Sequence, residues 1–323
     1  MGLVFAAIAP HGGLAVEEAC RPREARLALK TRAGMEALGR VFDRAKPEVV
    51  VVATPHNVHI EGAFGVIVAG RVAGNLESTP KPVALDLPSH TGLAWGLLES
   101  LSVAALPVVG VSFGANDPES AVAPMDWGVL IPLWFMGGRS DPPVPVVVVT
   151  PARDLSASDH VKAGAAIAAA AKATGLRVAF IASADHGHAH RGDGPYGFDA
   201  AAKVYDDLVC SLVRRDRLAD LVKVPPKLVD AAKADSWWQM LMLHGATGAG
   251  WKGKLLSYEA PTYFGMLTAS YLPASRGGRR ASGAPAEART PRGQGPGGEA
   301  KKKPSRGISS RPRTRTPPRT RSR

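Results

Sequence analysis

The stretch Glu48-Val49-Val50-Val51-Val52-Ala53-Thr54-Pro55-His56 decides the fold. A short run of β-branched residues closed by proline reads as a strand buried on both faces, because a strand with one wet face would alternate polar and apolar side chains. Two further runs have the same form. Residues 3–8 (LVFAAI) lead into Pro10-His11-Gly12-Gly13, and residues 178–182 (VAFIA) lead into Ser183-Ala184-Asp185-His186-Gly187-His188-Ala189-His190. Strands buried on both faces are typical of parallel sheets, and in such sheets ligands sit outside the carboxyl ends of the strands. If the three are parallel neighbours, six of the nine histidines (His11, His56, His59, His186, His188 and His190) converge on one rim. Imidazoles gathered there point to metal or acid–base chemistry.

The rest of the chain supplies what such a sheet needs. Residues 22–45 carry apolar side chains at helical spacing (Leu27, Met35, Leu38, Phe42) and make the crossover of a βαβ unit. Shorter strands are expected at 66–68, 84–87, 108–113 and 144–150, and helices at 91–101, 198–218 and 235–244. An Ala-rich helix capped by Ser156 or Ser158 ends at Gly175 and delivers the chain to the third histidine-bearing strand. The expected class is therefore α/β: a single domain over 1–273 whose mostly parallel or mixed central sheet is flanked by helices.

Charge divides the chain sharply. The net charge is +12, but residues 276–323 carry 15 Lys+Arg against 2 Glu, leaving the preceding 275 residues with 25 basic and 26 acidic side chains. The basic segment is made of Arg, Pro, Gly, Ser, Thr and Lys and has one apolar residue larger than Ala, Ile308, so it reads as a disordered tail over 274–323. Weak polyanion binding is the activity open to such a tail. The near-neutral body gives no reason to expect a nucleic-acid partner. Two cysteines, Cys20 and Cys210, form neither a disulfide framework nor a CxxC metal site and suit a reducing cytoplasm. No apolar stretch approaches the ~18 residues that span a bilayer, and no basic segment precedes the first apolar run, so neither a membrane span nor a signal peptide is expected.

Two imidazoles and a carboxylate on one face of an octahedron commonly hold redox-active mononuclear iron, leaving the other positions for substrate and oxygen. His11 and His56, each just beyond a rigid strand, suit that arrangement. Glu259, a single acid amid aromatic and small residues in Ser257-Tyr258-Glu259-Ala260-Pro261-Thr262-Tyr263-Phe264-Gly265-Met266, is the candidate carboxylate.

In this order and placement the residues resemble the class III (LigB-type) extradiol catechol dioxygenases. The resemblance runs from Leu3 to about Leu272. It rests on the early strand–His turn, a second strand ending in Pro-His, a mid-chain Met125-Asp126-Trp127-Gly128, a Gly/Ser-rich His turn after a late strand, and a C-terminal Glu. It implies that His11, His56 and Glu259 bind Fe(II), that His188 is the acid–base residue, and that a catechol-like or 2-aminophenol-like ring is opened by O2. The implied protein is a cytoplasmic enzyme, and a homo-oligomer is the default expectation for it. One departure stands out: Trp127 takes the place of a histidine found in many members, and tryptophan cannot shuttle a proton. His59, His90, Trp127, Asp185, His186 and His190 are then the residues expected to support the site or line the substrate pocket.

Two other readings use the same residues. Imidazole and carboxylate ligands suit zinc as well, and an open position would make a hydrolase. A chain of this fold without catalysis would be a scaffold, since fold alone does not establish activity. Each histidine also has a plainer role available, in a turn or on a solvated rim, and Glu259 could pair with Lys252 or Lys254.

Overall fold

The structure is a computed structural model that describes residues 1–274, and the expected basic tail lies outside the described residues beyond that point. The quoted valine run forms β2 (Val49–Ala53), every residue of which is buried. The other two histidine-bearing runs form β1 (Gly2–Ala9) and β9 (Arg177–Ser183). β9 lies between β1 and β2 and is parallel to both. The three carboxyl ends therefore share one rim, as expected from the sequence.

Alternation within β2 shows why no polar residue is tolerated there. Val49 and Val51 enter one core layer with Ile8, Phe180 and Leu241; Val50 and Val52 enter the other with Phe5, Leu38 and Phe42. Strand geometry sends successive side chains to opposite faces, and both faces are covered by helices. The crossover from β1 to β2 is α1 (Leu29–Ala45), which starts seven residues later than the pattern suggested, after a segment of short turns.

Further strands extend the sheet on both sides. β8 (Val146–Thr150) pairs parallel with β2; β3 (Phe64–Ile67) pairs antiparallel with β8, and β6 (Val108–Val111) is parallel to β3. On the other side β11 (Met266–Pro273) is antiparallel to β1, and β10 (Trp251–Glu259) completes a hairpin with it. The eight-stranded order is β10-β11-β1-β9-β2-β8-β3-β6. A separate three-stranded sheet of β4 (Arg71–Asn75), β5 (Ala84–Pro88) and β7 (Val122–Pro124) was not fully anticipated, because β4 and β7 are short and partly exposed. Helices α2 (Thr91–Val103), α3 (Trp127–Phe135), α4 (Ala157–Ala173), α5 (Ala200–Arg214), α6 (Pro226–Ala231) and α7 (Trp237–Thr247) complete the layers. The described residues thus form a mixed α/β domain with a helix-flanked sheet.

One helix contact is set by glycine. A Cβ added to Gly164 of α4 would come within 1.9 Å of Met242 O, and one on Gly245 of α7 within 1.9 Å of Val161 O. The two helices therefore approach backbone to backbone at these positions, which only glycine allows. No helix among the described residues is long and apolar enough to cross a membrane.

Candidate active site

His11 stands two residues beyond β1 and is buried. His56 stands three beyond β2, in a turn where its amide donates to Thr54 Oγ1 at 3.2 Å. Opposite them, the loop before α7 brings in Asp235, whose carbonyl accepts from Gln239 Nε2 at 2.8 Å while the same amide group donates to Ser183 O at the end of β9. Three donor atoms meet here. His11 Nε2 lies 3.1 Å from His56 Nε2 and 3.3 Å from Asp235 Oδ2, and His56 Nε2 lies 3.5 Å from the same oxygen. Among the described residues this is the group of His, Cys, Asp and Glu side chains whose ligand atoms lie close enough together to hold a metal ion.

Local chemistry prepares the set for a cation. Ser183 Oγ donates its single proton to Gly128 O, so toward His11 Nδ1, 2.9 Å away, it can only accept. Nδ1 therefore carries the ring proton of a neutral His11, and the lone pair of Nε2 faces the other two donors. Asp235 Oδ1 is buried with no hydrogen-bond partner, an acceptor whose burial is otherwise uncompensated. Two imidazole nitrogens and a carboxylate oxygen with spare acceptor capacity fit a divalent transition metal.

Without a bound cation the same cluster favours a proton on His11 Nε2, which a metal ion would replace. Burial disfavours a charged His11, but the carboxylates of Asp185 and Asp235 outweigh it and raise its pKa to about 9. For Asp235, burial is likewise overcome by His11, which holds the carboxyl below its usual range. Asp185 goes the other way: burial pushes it up although His11 pulls against it. Its Oδ1 accepts the His11 amide at 3.1 Å, and its Oδ2 lies 3.5 Å from His11 Nε2. Asp185 thus orients the histidine.

The carboxylate is where structure and sequence reading part. Glu259, expected as the third ligand, lies at the end of β10, where its Oε1 accepts the amide of Thr31 in the first turn of α1 at 2.7 Å. It neither joins the histidines nor pairs with Lys252 or Lys254. Its partner is a helix end that lacks a cap of its own, because Ala28 precedes that helix in a left-handed conformation with no side-chain acceptor. The sequence pattern places Asp235 only as the first residue of a helix over 235–244, whereas it stands in the loop before α7 (Trp237–Thr247). The available clue was an acid in the loop immediately before an aromatic-rich helix.

The remaining residues separate into those facing the cleft and those that do not. A cleft of about 1670 Å³ opens over the donor set, lined by His59, Trp127, Asp185, His188 and Phe264 among others. His188 Nδ1 donates to Lys233 O at 2.9 Å, which leaves Nε2 as the basic nitrogen, and its ring stacks on Phe264 with centroids 5.4 Å apart. Trp127, half exposed at the start of α3, lies over His56 with ring centroids 4.6 Å apart, so it forms cleft wall in place of a proton carrier. His59 is pushed below its ordinary pKa by partial burial, and Arg153 and His56 push it the same way. His90 is placed elsewhere: it precedes α2, and its Nδ1 accepts from Leu93 N at 3.0 Å as a helix cap. His186 is buried away from the cleft, with neither ring nitrogen hydrogen-bonded, and burial keeps it neutral by lowering its pKa. His190 Nε2 donates to Asp206 at 2.8 Å.

This arrangement of strand-end histidines over a mixed sheet defines a class. Residues 6–269 match the LigB family, described as the catalytic LigB subunit of aromatic ring-opening dioxygenase, and the chain belongs to that family. It is similar to Protein CA_C1420 of Clostridium acetobutylicum, at 23% identity over 252 residues that make up 77% of this chain and 53% of that protein. The chain therefore spans about half the length of this curated relative. The solved structure of an uncharacterized protein, JW3007, from Escherichia coli K12 superposes with a TM-score of 0.52 at 19% identity, covering 83% of this chain and 99% of that one, a likeness of fold.

Proposed function

We propose that the protein is a non-haem Fe(II) extradiol dioxygenase that opens a catechol-like or 2-aminophenol-like ring with O2, with His11, His56 and Asp235 holding the iron and His188 as its acid–base residue. One observation carries this reading: three ligand atoms 3.1 to 3.5 Å apart lie in a cleft that also presents an imidazole with its basic nitrogen free. Family membership supports the reaction class.

Bound iron would supply the redox centre at which an electron-rich ring and O2 combine, both oxygen atoms ending in the ring-opened product. The protein's own groups do the rest. Trp127 and Phe264 offer aromatic faces to a planar substrate in the cleft. His188 Nε2 takes a proton from the substrate's ortho hydroxyl or amino group, and the Lys233 carbonyl stabilises the imidazolium that results by keeping its Nδ1–H bonded. Asp185 and Ser183 hold the His11 ring from its backbone and its far nitrogen. With Trp127 at the position of a second histidine, proton transfer falls to His188, and His59 is the other cleft histidine outside the ligand set.

Oxygen uptake by anaerobically Fe(II)-loaded protein, against a panel of catechols and 2-aminophenol with the absorbance of a yellow product followed in the same cuvette, tests the proposal. Uptake coupled to product is expected. Stoichiometric zinc in the purified protein, with an activity indifferent to oxygen, would replace it with the hydrolase reading. A protein with no affinity for Fe(II) would leave the scaffold.

A further inference from the structure

Asp206 is a fully buried acid of α5 that the reaction outlined above does not use. Its Oδ1 accepts the amide of Gly187 at 2.8 Å; its Oδ2 accepts His190 Nε2 at 2.8 Å and the Tyr258 hydroxyl at 2.6 Å. Gly187 and His190 stand on either side of His188, so one carboxylate grips the turn that carries the acid–base imidazole both before and after it. Burying a charged carboxylate is costly unless donors surround it, and here two donors come from the His188 turn and the third from Tyr258 of β10.

The surroundings are cut to admit this side chain. A Cβ on Gly265 would fall 2.0 Å from Asp206 Oδ2, and one on Gly187 would fall 2.8 Å from Ala202 Cα. Both positions are therefore held to glycine by close approach. Gly265 also joins the turn through its backbone: His186 N donates to Gly265 O at 2.8 Å, and Gly265 N donates to Gly187 O at 3.0 Å. The His188 amide itself donates to Ala232 O at 2.8 Å, one residue before the carbonyl that holds its ring. Both flanks of the turn are fixed on Asp206 and its backbone on the 232–233 loop, which places the His188 ring where Nδ1–H meets Lys233 O.

We infer that Asp206 is a positioning residue, which acts through Gly187 and His190 to hold His188 in the Nδ1–H tautomer with Nε2 directed to substrate. The assignment of a role to that nitrogen rests on the dioxygenase reading; the effect of Asp206 on the tautomer does not. Free imidazole prefers the Nε2–H form, so loosening the turn releases His188 toward it.

The test is long-range 1H–15N correlation on full-length protein labelled with 15N-histidine, the His188 signals being assigned with His188→Gln. Wild type should show the Nδ1–H tautomer. Asp206→Asn, which in either amide orientation sets an N–H against the Gly187 amide or against the His190 and Tyr258 donors, should move His188 toward Nε2–H at unchanged metal content. With a turned-over catechol, it should lower kcat by roughly 10- to 100-fold, the range typical of outer hydrogen-bond partners, with little change in KM. His188 signals identical to wild type in Asp206→Asn would overturn the inference, whatever the activity. Should that variant fail to fold, His190→Ala removes one of the two grips and must shift the same signals partway, and unshifted signals there overturn it equally. If wild type cleaves no ring, the tautomer readout still decides the role of Asp206 while the dioxygenase reading falls separately.

Discussion

The histidines at the sheet rim and the polar groups buried in the helical layer follow opposite rules. At the rim, His11, His56 and Asp235 turn acceptor atoms toward one another at 3.1 to 3.5 Å, an arrangement that only a proton or a metal ion relieves. In the helical layer, His160 is buried in α4 against Phe64; its Nδ1 donates to Ser156 O at 2.8 Å, and its Nε2 is buried without a partner but belongs to no cluster of ligand atoms among the described residues. Glu259 is spent the same way, on an amide of α1. Burial alone therefore does not mark function in this protein; what marks it is acceptors facing acceptors. Changes at the rim should remove chemistry and leave the fold, and changes in the helical layer should do the reverse.

The largest effect tests the rim directly. Asp235→Ala or His11→Ala should weaken metal binding by more than ~100-fold, beyond what loss of an outer partner costs, and abolish oxygen uptake. Metal content after dialysis against a weak chelator, with circular dichroism to verify the fold, measures it. An Asp235→Ala protein that keeps its iron would break the comparison, because the convergence of donors would then have no ligand meaning. Next, His188→Gln should keep the metal and lose roughly 10²- to 10⁴-fold in kcat, the range of general acid–base catalysis, when both proteins are assayed at equal iron occupancy. Equal loss of iron in that variant would make His188 part of the donor set instead.

How legible this was in the sequence depended on how local each cause is. β1, β2 and β9 could be read because burial on both faces admits only apolar residues, and their parallel adjacency put His11, His56 and His188 on one rim. Asp235 was hidden because it stands in a loop, held to the rim through Gln239 and Ser183, and neither contact leaves a periodic trace beside it. Glu259 misled for a related reason: its partner Thr31 lies 228 residues away, and a lone acid among aromatics looks the same whether it meets a metal or a helix end. His90 belongs with these, since a histidine capping α2 and a histidine facing a cleft have the same neighbours in sequence.

The helical-layer half of the comparison predicts a pH effect on stability. Burial lowers the pKa of His160, and of His186, below the ordinary 6.5. Above that value both histidines are neutral in the folded and unfolded chain and contribute nothing. As pH falls below it, the unfolded chain binds protons that the folded one refuses, so stability declines by up to about 1.4 kcal/mol per pH unit for each, until the lowered folded pKa is reached. Urea titrations between pH 7 and 5 should show this decline, and His160→Phe should make it shallower while costing about 1 kcal/mol at pH 7 for the lost bond to Ser156. An acid limb unchanged by that substitution would locate the titrating group elsewhere.

The smallest expected effect is the most discriminating, because it asks Glu259 to behave as a structural acid. Thr31 N is one of the amides that the first turn of a helix leaves without an intrahelical partner, and Ala28 ahead of it has no side-chain oxygen to offer. Glu259 supplies the acceptor from β10 and adds a negative charge at the positive end of the α1 dipole. Glu259→Ala should therefore cost about 1 kcal/mol in urea denaturation, with iron content and ring-cleaving activity at wild-type values. Glu259→Gln, which keeps an acceptor oxygen and loses the charge, should cost less than half of that. A Glu259→Gln protein of full stability that no longer retained iron would return the third ligand to β10. Asp235 would then have to be explained as a buried carboxylate facing two imidazoles for some purpose other than holding the ion.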